Sequence, residues 1–514
     1  MYDVAVVGGG IAGMATAARL QAQGVSTIVF EAHGHPGGCA GYFHRRGFSF
    51  DVGATTLVDF EPGGVGGELL ESIGMAPLVG HRLRGYVAWL PDRRVTLYRE
   101  PARWSAERLR VLGITTAHRR FWNLMDRLAA VFWSASRRGV KLPLSSFADV
   151  VSAFRAIGPC GLSLTRYLGW TMQDALAAHG LAGDRPLVGL LSMLVEDTVH
   201  NSISEAPLVN AALGITIRGA GLTRALGGMR GFWTALVKHY RGLGGELKVG
   251  CRVDWIRGHI GEYLIRTQRG DFVARHVVSA LPAELTARIA PGAVTRRLQP
   301  YLERNRGNLG GAIVVFLGVP EIEVAQHEFT HHQLLHDYEA PLGNGNNMFI
   351  SVSEPGDTVS APPGHRAVMI STHCELEPWE GLSPPGYEAQ KRAAGNRLIS
   401  LARRVYPRLG SGAVVHEVGT PRTYERFTSR PRGAVGGFRQ NLTNANQRAI
   451  PHNPGVPGFW MVGDSTWPGL GTVACVLGSR IVAERLILQI RRHARINTVR
   501  GSSARTTHAA LAST

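Results

Sequence analysis

The sequence has little of several features that mark large classes of protein. Its five cysteines lie far apart and form no C-x-x-C pair, which indicates a reducing compartment and gives no sign of a metal site. No uninterrupted apolar run reaches the ~18 residues of a membrane-spanning helix. Asp3 and a glycine loop stand where the apolar core of a secretory signal would lie, so we expect no such signal.

Acidic residues are also scarce. The chain has 38 Asp and Glu against 56 Lys and Arg, which gives a formal charge of +18. No compact basic block or nucleic-acid-binding motif accompanies this charge, so we expect no nucleic-acid partner. Two explanations of the charge stay open, a genome that favours arginine and an anionic membrane surface as partner.

Aromatic residues mixed with arginines in one stretch favour the membrane explanation. Amphipathic helices with such a composition can lie in a lipid interface, but a helical lid that packs its aromatics inward would have the same pattern. The stretch runs from Trp104 to Arg138 and includes Phe121, Trp122, Phe132 and Trp133.

The first residues that carry chemistry are glycines near the start, in VAVVGGGIAGMATAARL. The run Tyr2 to Val7 has the length and composition of a strand. Gly8, Gly10 and Gly13 follow with G-x-G-x-x-G spacing, and a helix-like pattern comes next. In this arrangement the glycines allow a tight turn, close approach of a pyrophosphate and close helix packing, while the helix N-terminus attracts the phosphates.

A second strand and an acid complete the pattern. The strand is predicted at Ser26 to Phe30, and Glu31 follows it 18 residues beyond Gly13. A carboxylate at this distance is where a ribose-binding acid belongs. The order of strand, glycine loop, helix, strand and acid therefore predicts a dinucleotide site, without deciding between NAD and FAD.

Downstream motifs resemble one group of flavoproteins. Gly37 and Gly38 follow the acid, GFSFDVGAT spans residues 47–55, and PGFWMVGDSTWPGLGTVACVLGSRIVAERL spans residues 457–486. These segments resemble phytoene desaturases, carotenoid 3,4-desaturases, carotenoid cis-trans isomerases and retinol saturases. With the runs at 227–256 and 276–282, the resemblance rests on four ordered segments, the first of which is 3–56.

The resemblance implies FAD as the cofactor and a set of residues that hold it. Asp464 is expected to accept hydrogen bonds from ribityl hydroxyls, and the helix that starts near Thr472 to face the flavin. The backbone of Val253 is expected to contact the adenine. The full expected set is Gly8, Gly10, Ala12, Gly13, Glu31, Gly37, Gly38, Val253, Gly463, Asp464, Thr472 and Val473.

The resemblance also implies an α/β fold with α+β inserts. A Rossmann-like FAD-binding domain of glutathione-reductase type is expected to be discontinuous, built from residues 1–75, 215–300 and 430–490. A substrate domain with membrane contact is expected from residues 76–214, mainly helical over 102–210, and 301–429, with strands among Pro/Gly turns. A flexible tail is expected at 497–514 because it is rich in Ser, Thr and Ala.

One position departs from the pattern of many relatives, which have Arg after the Gly-Gly pair. Here Cys39 stands at that position, so the phosphate contact is expected from backbone N–H groups, from Arg45 or from Arg46, or to be absent. The departure counts against an amine oxidase. Cys39 is expected to be a small packed residue rather than a redox thiol.

The chemistry expected of such a chain needs few catalytic side chains, because the flavin carries the redox step. Glu196, Asp197 and His200 stand as possible proton acceptors, with capping or packing as the alternative. Trp467 is expected either to wall a substrate tunnel or to lie in the core. His331 and His332 have no Cys, Asp or Glu at ligand spacing and are predicted in a surface loop, with no metal.

The sequence thus predicts an FAD-dependent enzyme that desaturates a carotenoid or related isoprenoid polyene by hydride transfer to flavin. Three alternatives stay open: a carotenoid cis-trans isomerase that uses reduced FAD, a polyene saturase, and a non-catalytic polyene-binding flavoprotein. The expected location is cytoplasmic, at the inner face of an anionic membrane. Catalytic residues are not assigned.

Overall fold

The computed structural model describes the backbone of residues 1–511, with side chains except those of Cys160 and residues 493–511. Nineteen strands occur in this described part. In chain order, β1 to β19, they are Tyr2–Val7, Thr27–Phe30, Tyr42–Arg45, Phe48–Asp51, Leu57–Val58, Gly80–Arg82, Gly85–Trp89, Arg94–Tyr98, Leu222–Ala225, Glu246–Lys248, Val253–His259, Glu262–Thr267, Gly270–Ser279, Gly311–Pro320, His331–Leu335, Asn347–Val352, His365–Cys374, Val415–Gly419 and Phe459–Met461.

Sixteen α-helices accompany the strands over the same described residues. In chain order, α1 to α16, they are Ile11–Ala22, Val65–Ser72, Pro101–Leu112, Thr116–Arg137, Phe147–Ile157, Pro159–Leu162, Met172–Ala178, Arg185–Val199, Leu208–Ile215, Ile217–Ala220, Gly228–Gly242, Ala283–Ile289, Gly292–Arg304, Pro384–Ala402, Pro421–Thr428 and Thr472–Leu511. The predicted flexible tail, 497–514, lies where side chains are not described, and 512–514 lie outside the described residues; it stays a prediction.

The first of two large sheets contains the glycine loop. Its strand order is β10-β2-β1-β13-β12-β11, and β19 also pairs with β13. Strands β10, β2, β1, β13 and β19 are parallel, whereas β11 and β12 form an antiparallel extension on the first half of β13. Parallel strands in an α/β sheet bind ligands beyond their carboxyl ends, and here those ends lead to Gly8, Glu31, Ala280 and Val462.

The second large sheet has the order β18-β14-β17-β16-β15-β7-β8. Its pairs are antiparallel except β15 with β7. A hairpin of β3 and β4 and a small sheet of β5, β9 and β6 complete the strands. The Rossmann-like sheet with a separate mixed sheet confirms the predicted fold class, while the domain boundaries stay predictions.

The aromatic residues of the Trp104–Arg138 stretch pack inward. The Phe121 and Trp122 side chains on α4 are buried in a core that α4 shares with α7, α8 and α9. The Nε1 of Trp133 donates to Thr216 Oγ1 at 3.1 Å. Of the two explanations of this stretch, the structure has the inward-packed one. No helix among the described residues combines the length and the hydrophobicity needed to cross a bilayer.

The prediction that His331 and His332 lie in a surface loop is wrong. Both lie in β15 and are 0% exposed. His331 stacks on Tyr86 with ring centroids 5.1 Å apart, and His332 exchanges a hydrogen bond with the hydroxyl of Tyr406 at 2.8 Å. Burial lowers the pKa of His332 to about 3, so the pair is neutral and polar core rather than solvated surface.

Candidate cofactor and substrate site

A cavity of about 1160 Å³ extends from the first large sheet to the second. One end lies at the carboxyl ends of β1 and β2, where Gly8 and Glu31 line it. The other end lies against the second sheet, where the wall includes Phe316 on β14 and Phe349 on β16. A ligand in this space can therefore contact the glycine loop and an apolar chamber at once.

Each glycine of the loop meets a different steric condition. Gly8 has a φ of +105°, which suits glycine. A Cβ on Gly13 would lie 2.1 Å from the Gly8 carbonyl oxygen, so α1 packs on β1 only with glycine there. A Cβ on Gly10 would meet no atom within 4 Å. The loop thus leaves open space in front of Gly10, as close approach of a pyrophosphate requires.

Glu31 lies beside the loop and is already held in place. Its Oε2 accepts a hydrogen bond from the N–H of Gly9 and its Oε1 from the N–H of His33, both at 2.7 Å. Burial raises the pKa of Glu31, against the opposing effect of these hydrogen bonds. A carboxylate fixed at the end of β2 suits the hydroxyls of a ribose.

The structure brings ten of the twelve predicted cofactor residues into the wall of the one cavity. Gly13 and Val473 are not in the wall, since Gly13 packs between helix and strand and Val473 lies one residue inside α16. The ten that line the cavity are Gly8, Gly10, Ala12, Glu31, Gly37, Gly38, Val253, Gly463, Asp464 and Thr472. The segments at the two ends of the chain therefore converge, although their roles stay predictions.

A charged residue that the sequence analysis missed lies next to Asp464. Arg430 donates a hydrogen bond to Asp464 Oδ2, and its positive charge favours the thiolate form of Cys39. Burial raises the pKa of the Cys39 thiol despite this cation, so the thiol is protonated, and Cys39 lines the cavity; whether it is only a packing residue stays a prediction. No sequence motif identifies Arg430, which lies in the loop segment SRPRG, residues 429–433.

Arg45 and Arg46, expected as phosphate contacts, have other partners. The guanidinium of Arg45 pairs with Glu417 at 3.0 Å, and Arg46 donates to the Val414 carbonyl oxygen at 3.0 Å. Arg45 lines the cavity and Arg46 does not. Cys39 stands where many relatives have an arginine after the Gly-Gly pair. Arg430 is thus the buried cation at this position.

Two of the predicted helper residues, Asp197 and His200, line the cavity, and Glu196 is not in its wall but pairs with residues of the second sheet that are. Glu196 Oε2 lies 3.4 Å from Nδ1 of His373 on β17 and accepts a hydrogen bond from Asn347 on β16. His200 follows the end of α8, and its ring centroid lies 4.4 Å from that of His373. Asp197, on the same helix, lies beside this pair.

The surroundings of these groups shift their pKa values in different directions. Burial raises the pKa of Glu196, but His373 and Asn347 outweigh it and the net pKa is lowered. Burial lowers the pKa of His373, yet Glu196 outweighs it and the net pKa is raised. Burial raises the pKa of Asp197, and burial with the neighbouring His373 holds that of His200 well below its usual range. The cluster therefore pairs a charged couple with a neutral imidazole.

Trp467 lies in the core rather than at the cavity. Its side chain is 7% exposed and packs with residues of α1 and α16, and it is not part of the cavity wall. Among the described residues no group of three or more His, Cys, Asp or Glu is arranged to hold a metal ion.

Comparison with known proteins decides the family. The family model of flavin containing amine oxidoreductases matches residues 11–487. This chain belongs to that family. Its cofactor is FAD, and the open space before Gly10, the fixed carboxylate of Glu31 and the helix N-terminus at Thr472 fit this group.

Individual relatives refine the likeness. The chain is 25% identical to a chloroplastic prolycopene isomerase of Arabidopsis thaliana, over 95% of this chain and 83% of that protein. It is 24% identical to a lycopene-forming phytoene desaturase of Pseudescherichia vulneris, over 95% and 99%. Among solved structures, a redesigned putrescine oxidase superposes with a TM-score of 0.63 at 14% identity, over 95% and 99%, and shows that the fold is shared.

Proposed function

We propose that this enzyme desaturates a carotenoid-type polyene with FAD as the electron acceptor. The observation that carries the proposal is the single cavity that runs from the glycine loop to an apolar chamber. A hydrocarbon polyene has no ionisable group, so its site needs an apolar wall more than charged anchors. Met193, Val314, Phe316, Met348 and Phe349 form such a wall.

The cofactor residues take the following places in this proposal. The N-terminus of α1 with Gly8 and Gly10 holds the pyrophosphate through backbone N–H groups. Glu31 accepts hydrogen bonds from the adenosine ribose. Asp464, held by Arg430, accepts them from the ribityl chain. When bound, FAD is the two-electron acceptor, while the protein orients the substrate and excludes water.

Isomerisation with reduced FAD is the second candidate. The likeness to prolycopene isomerases, 25–26% identity over 94–95% of this chain, favours it. The two reactions differ in electron balance, because desaturation removes two electrons from the polyene and isomerisation removes none.

An incubation experiment separates the two reactions. The purified holoenzyme is given phytoene with oxidised FAD and an electron acceptor, and separately prolycopene with reduced FAD under anaerobic conditions. We expect new conjugated double bonds in the first incubation. Turnover in the second alone would establish the isomerase. Pigment bound without change in either incubation would contradict both proposals in favour of a carrier.

We also propose that the enzyme binds an anionic membrane at the cytoplasmic inner face, through a patch of exposed apolar residues. Phe147 and Phe154 on α5 are 84% and 56% exposed, and Leu162 and Leu168 are 43% and 46% exposed. Phe147 and Phe154 are two helical turns apart and share a face. The formal charge of +18 supports attraction to anionic lipid.

Vesicle sedimentation tests this patch. We expect the double variant Phe147→Ser/Phe154→Ser to bind phosphatidylglycerol-containing vesicles about a hundredfold or more weakly, because each buried phenyl ring contributes roughly 1.5–3 kcal/mol. The matched control is Ile322→Ser/Val414→Ser, which replaces two exposed apolar residues elsewhere. Equal sedimentation of both double variants would contradict the membrane patch.

A further inference from the structure

We propose that His200 is the catalytic residue that accepts the proton when the polyene is desaturated, and that Glu196 is a positioning residue that acts through His373. The inference rests on the proposed function. It adds an assignment for the proton to the transfer of electrons to FAD.

The place of His200 in the cavity is the first support. A Cβ on Gly436 would lie 2.2 Å from Cε1 of the His200 ring, so the imidazole fills the space that a glycine leaves. The next residue, Gly437, packs on Asp464, where a Cβ would lie 2.5 Å from the carbonyl oxygen. Gly436 and Gly437 therefore lie between the His200 ring and Asp464, which is in the loop expected to face the flavin.

The chamber offers few other proton acceptors. The cavity-lining titratable groups from α8, its C-terminal cap and the second sheet are Asp197, His200, His373 and Glu417. Glu417 on β18 is paired with Arg45 at 3.0 Å. His373 is engaged with Glu196 at 3.4 Å. Asp197 accepts a hydrogen bond from Gln333 Nε2 at 3.1 Å, and burial favours its protonated form. His200 is left as the unprotonated group.

Burial, and then charged groups on each side, keep His200 in that form. His373 on β17, and Arg439 and Arg430 on the following loops, disfavour a second positive charge. Glu196 balances the charge of His373, with which it forms an ion pair. A buried neutral imidazole can accept a proton at any pH near neutrality.

The step balances without a further reactant. One carbon of the polyene loses a hydride, with both electrons of its C–H bond, to FAD. The adjacent carbon loses a proton to His200, and the electrons of that C–H bond form the new double bond. A weak base is sufficient, because a C–H next to a delocalised carbocation is strongly acidic. The resulting imidazolium faces the positive His373, which favours release of the proton.

The variant His200→Gln tests the assignment. We expect kcat for phytoene to fall about 10²–10⁴-fold, the range of general base catalysis, with FAD affinity unchanged in a fluorescence titration. The matched control is His336→Gln, an exposed histidine away from the cavity, which should keep wild-type kcat. Histidine side-chain ¹⁵N NMR of wild type should show several imidazoles that stay neutral from pH 6 to 8, those of His331 and His332 among them, and one of these neutral signals should vanish in His200→Gln.

A second variant tests the positioning role. Glu196→Gln removes the negative partner of His373, so the pKa of His373 should fall. The positive charge that favours release of the proton from His200 is then lost at lower pH, and the alkaline limb of the kcat profile should move to lower pH. A purely structural Glu196 would change stability and leave that profile in place. Asp197, His200 and Arg439 also face His373 and are unchanged in this variant.

The outcomes separate this inference from the function on which it rests. Wild-type turnover of phytoene with equal turnover by His200→Gln would overturn the inference alone. An imidazole of His200 that is protonated at pH 7 would also overturn it. Absence of turnover by wild type would contradict the desaturase proposal, and with it this assignment.

Discussion

Gly10→Val should give a folded protein that does not bind FAD. Gly10 has a φ of −71°, which valine adopts without strain, and a Cβ there meets no protein atom within 4 Å. The side chain would instead occupy the space of the pyrophosphate. We expect loss of the visible flavin absorbance of the purified protein, with a far-UV circular dichroism spectrum like that of wild type.

The control for this prediction is Gly183→Val. Gly183 is exposed, and a Cβ on it also meets no atom within 4 Å, but it lies away from the cavity. Flavin content should be normal in this variant. Full flavin occupancy in Gly10→Val would mean that the glycine loop does not hold the cofactor.

Arg224→Met should destabilise the protein by about 3–5 kcal/mol, the usual effect of leaving one partner of a buried ion pair alone. Arg224 on β9 and Asp51 on β4 are 4% and 5% exposed and lie 2.5 Å apart. Asp51 also accepts the N–H of Met229, in the first turn of α11, at 2.8 Å. Asp51 thus connects the FDVG segment, residues 50–53, to α11. Denaturant unfolding of the apoprotein measures how much stability is lost when Asp51 has no cationic partner.

The double variant Asp51→Asn/Arg224→Met serves as the control. Removing the charge on both sides should recover part of the lost stability, because the uncompensated carboxylate is then absent. A single Arg224→Met variant as stable as wild type would show that this buried pair contributes little.

Sequence patterns that depend on local backbone requirements predicted the structure well. The run Tyr2 to Val7 is a strand with the predicted bounds, and the last helix begins at Thr472. The strands expected among Pro/Gly turns in 301–429 are present, β14, β16 and β17 among them. Glycine spacing and β-branched runs carry this information because they report on φ and on burial of a single strand.

Properties that depend on distant partners were not predictable in the same way. Arg430 acquires its role only because folding brings it to Cys39 and Asp464. His331 and His332 look like surface residues in isolation, but Tyr86 and Tyr406, far away in the sequence, accommodate them in the core. Glu196 and His200 stand close together in the sequence and were named as candidates, whereas His373 and Asn347 come from the second sheet.

Strand β13 sets a condition on how the chain acquires its shape. Its second half lies between β1, from the start of the chain, and β19, which ends at Met461. The nucleotide-binding sheet is therefore incomplete until residues 459–461 have emerged from the ribosome. Contacts this far apart in sequence slow folding, and the unfinished sheet exposes a strand edge that invites aggregation until then.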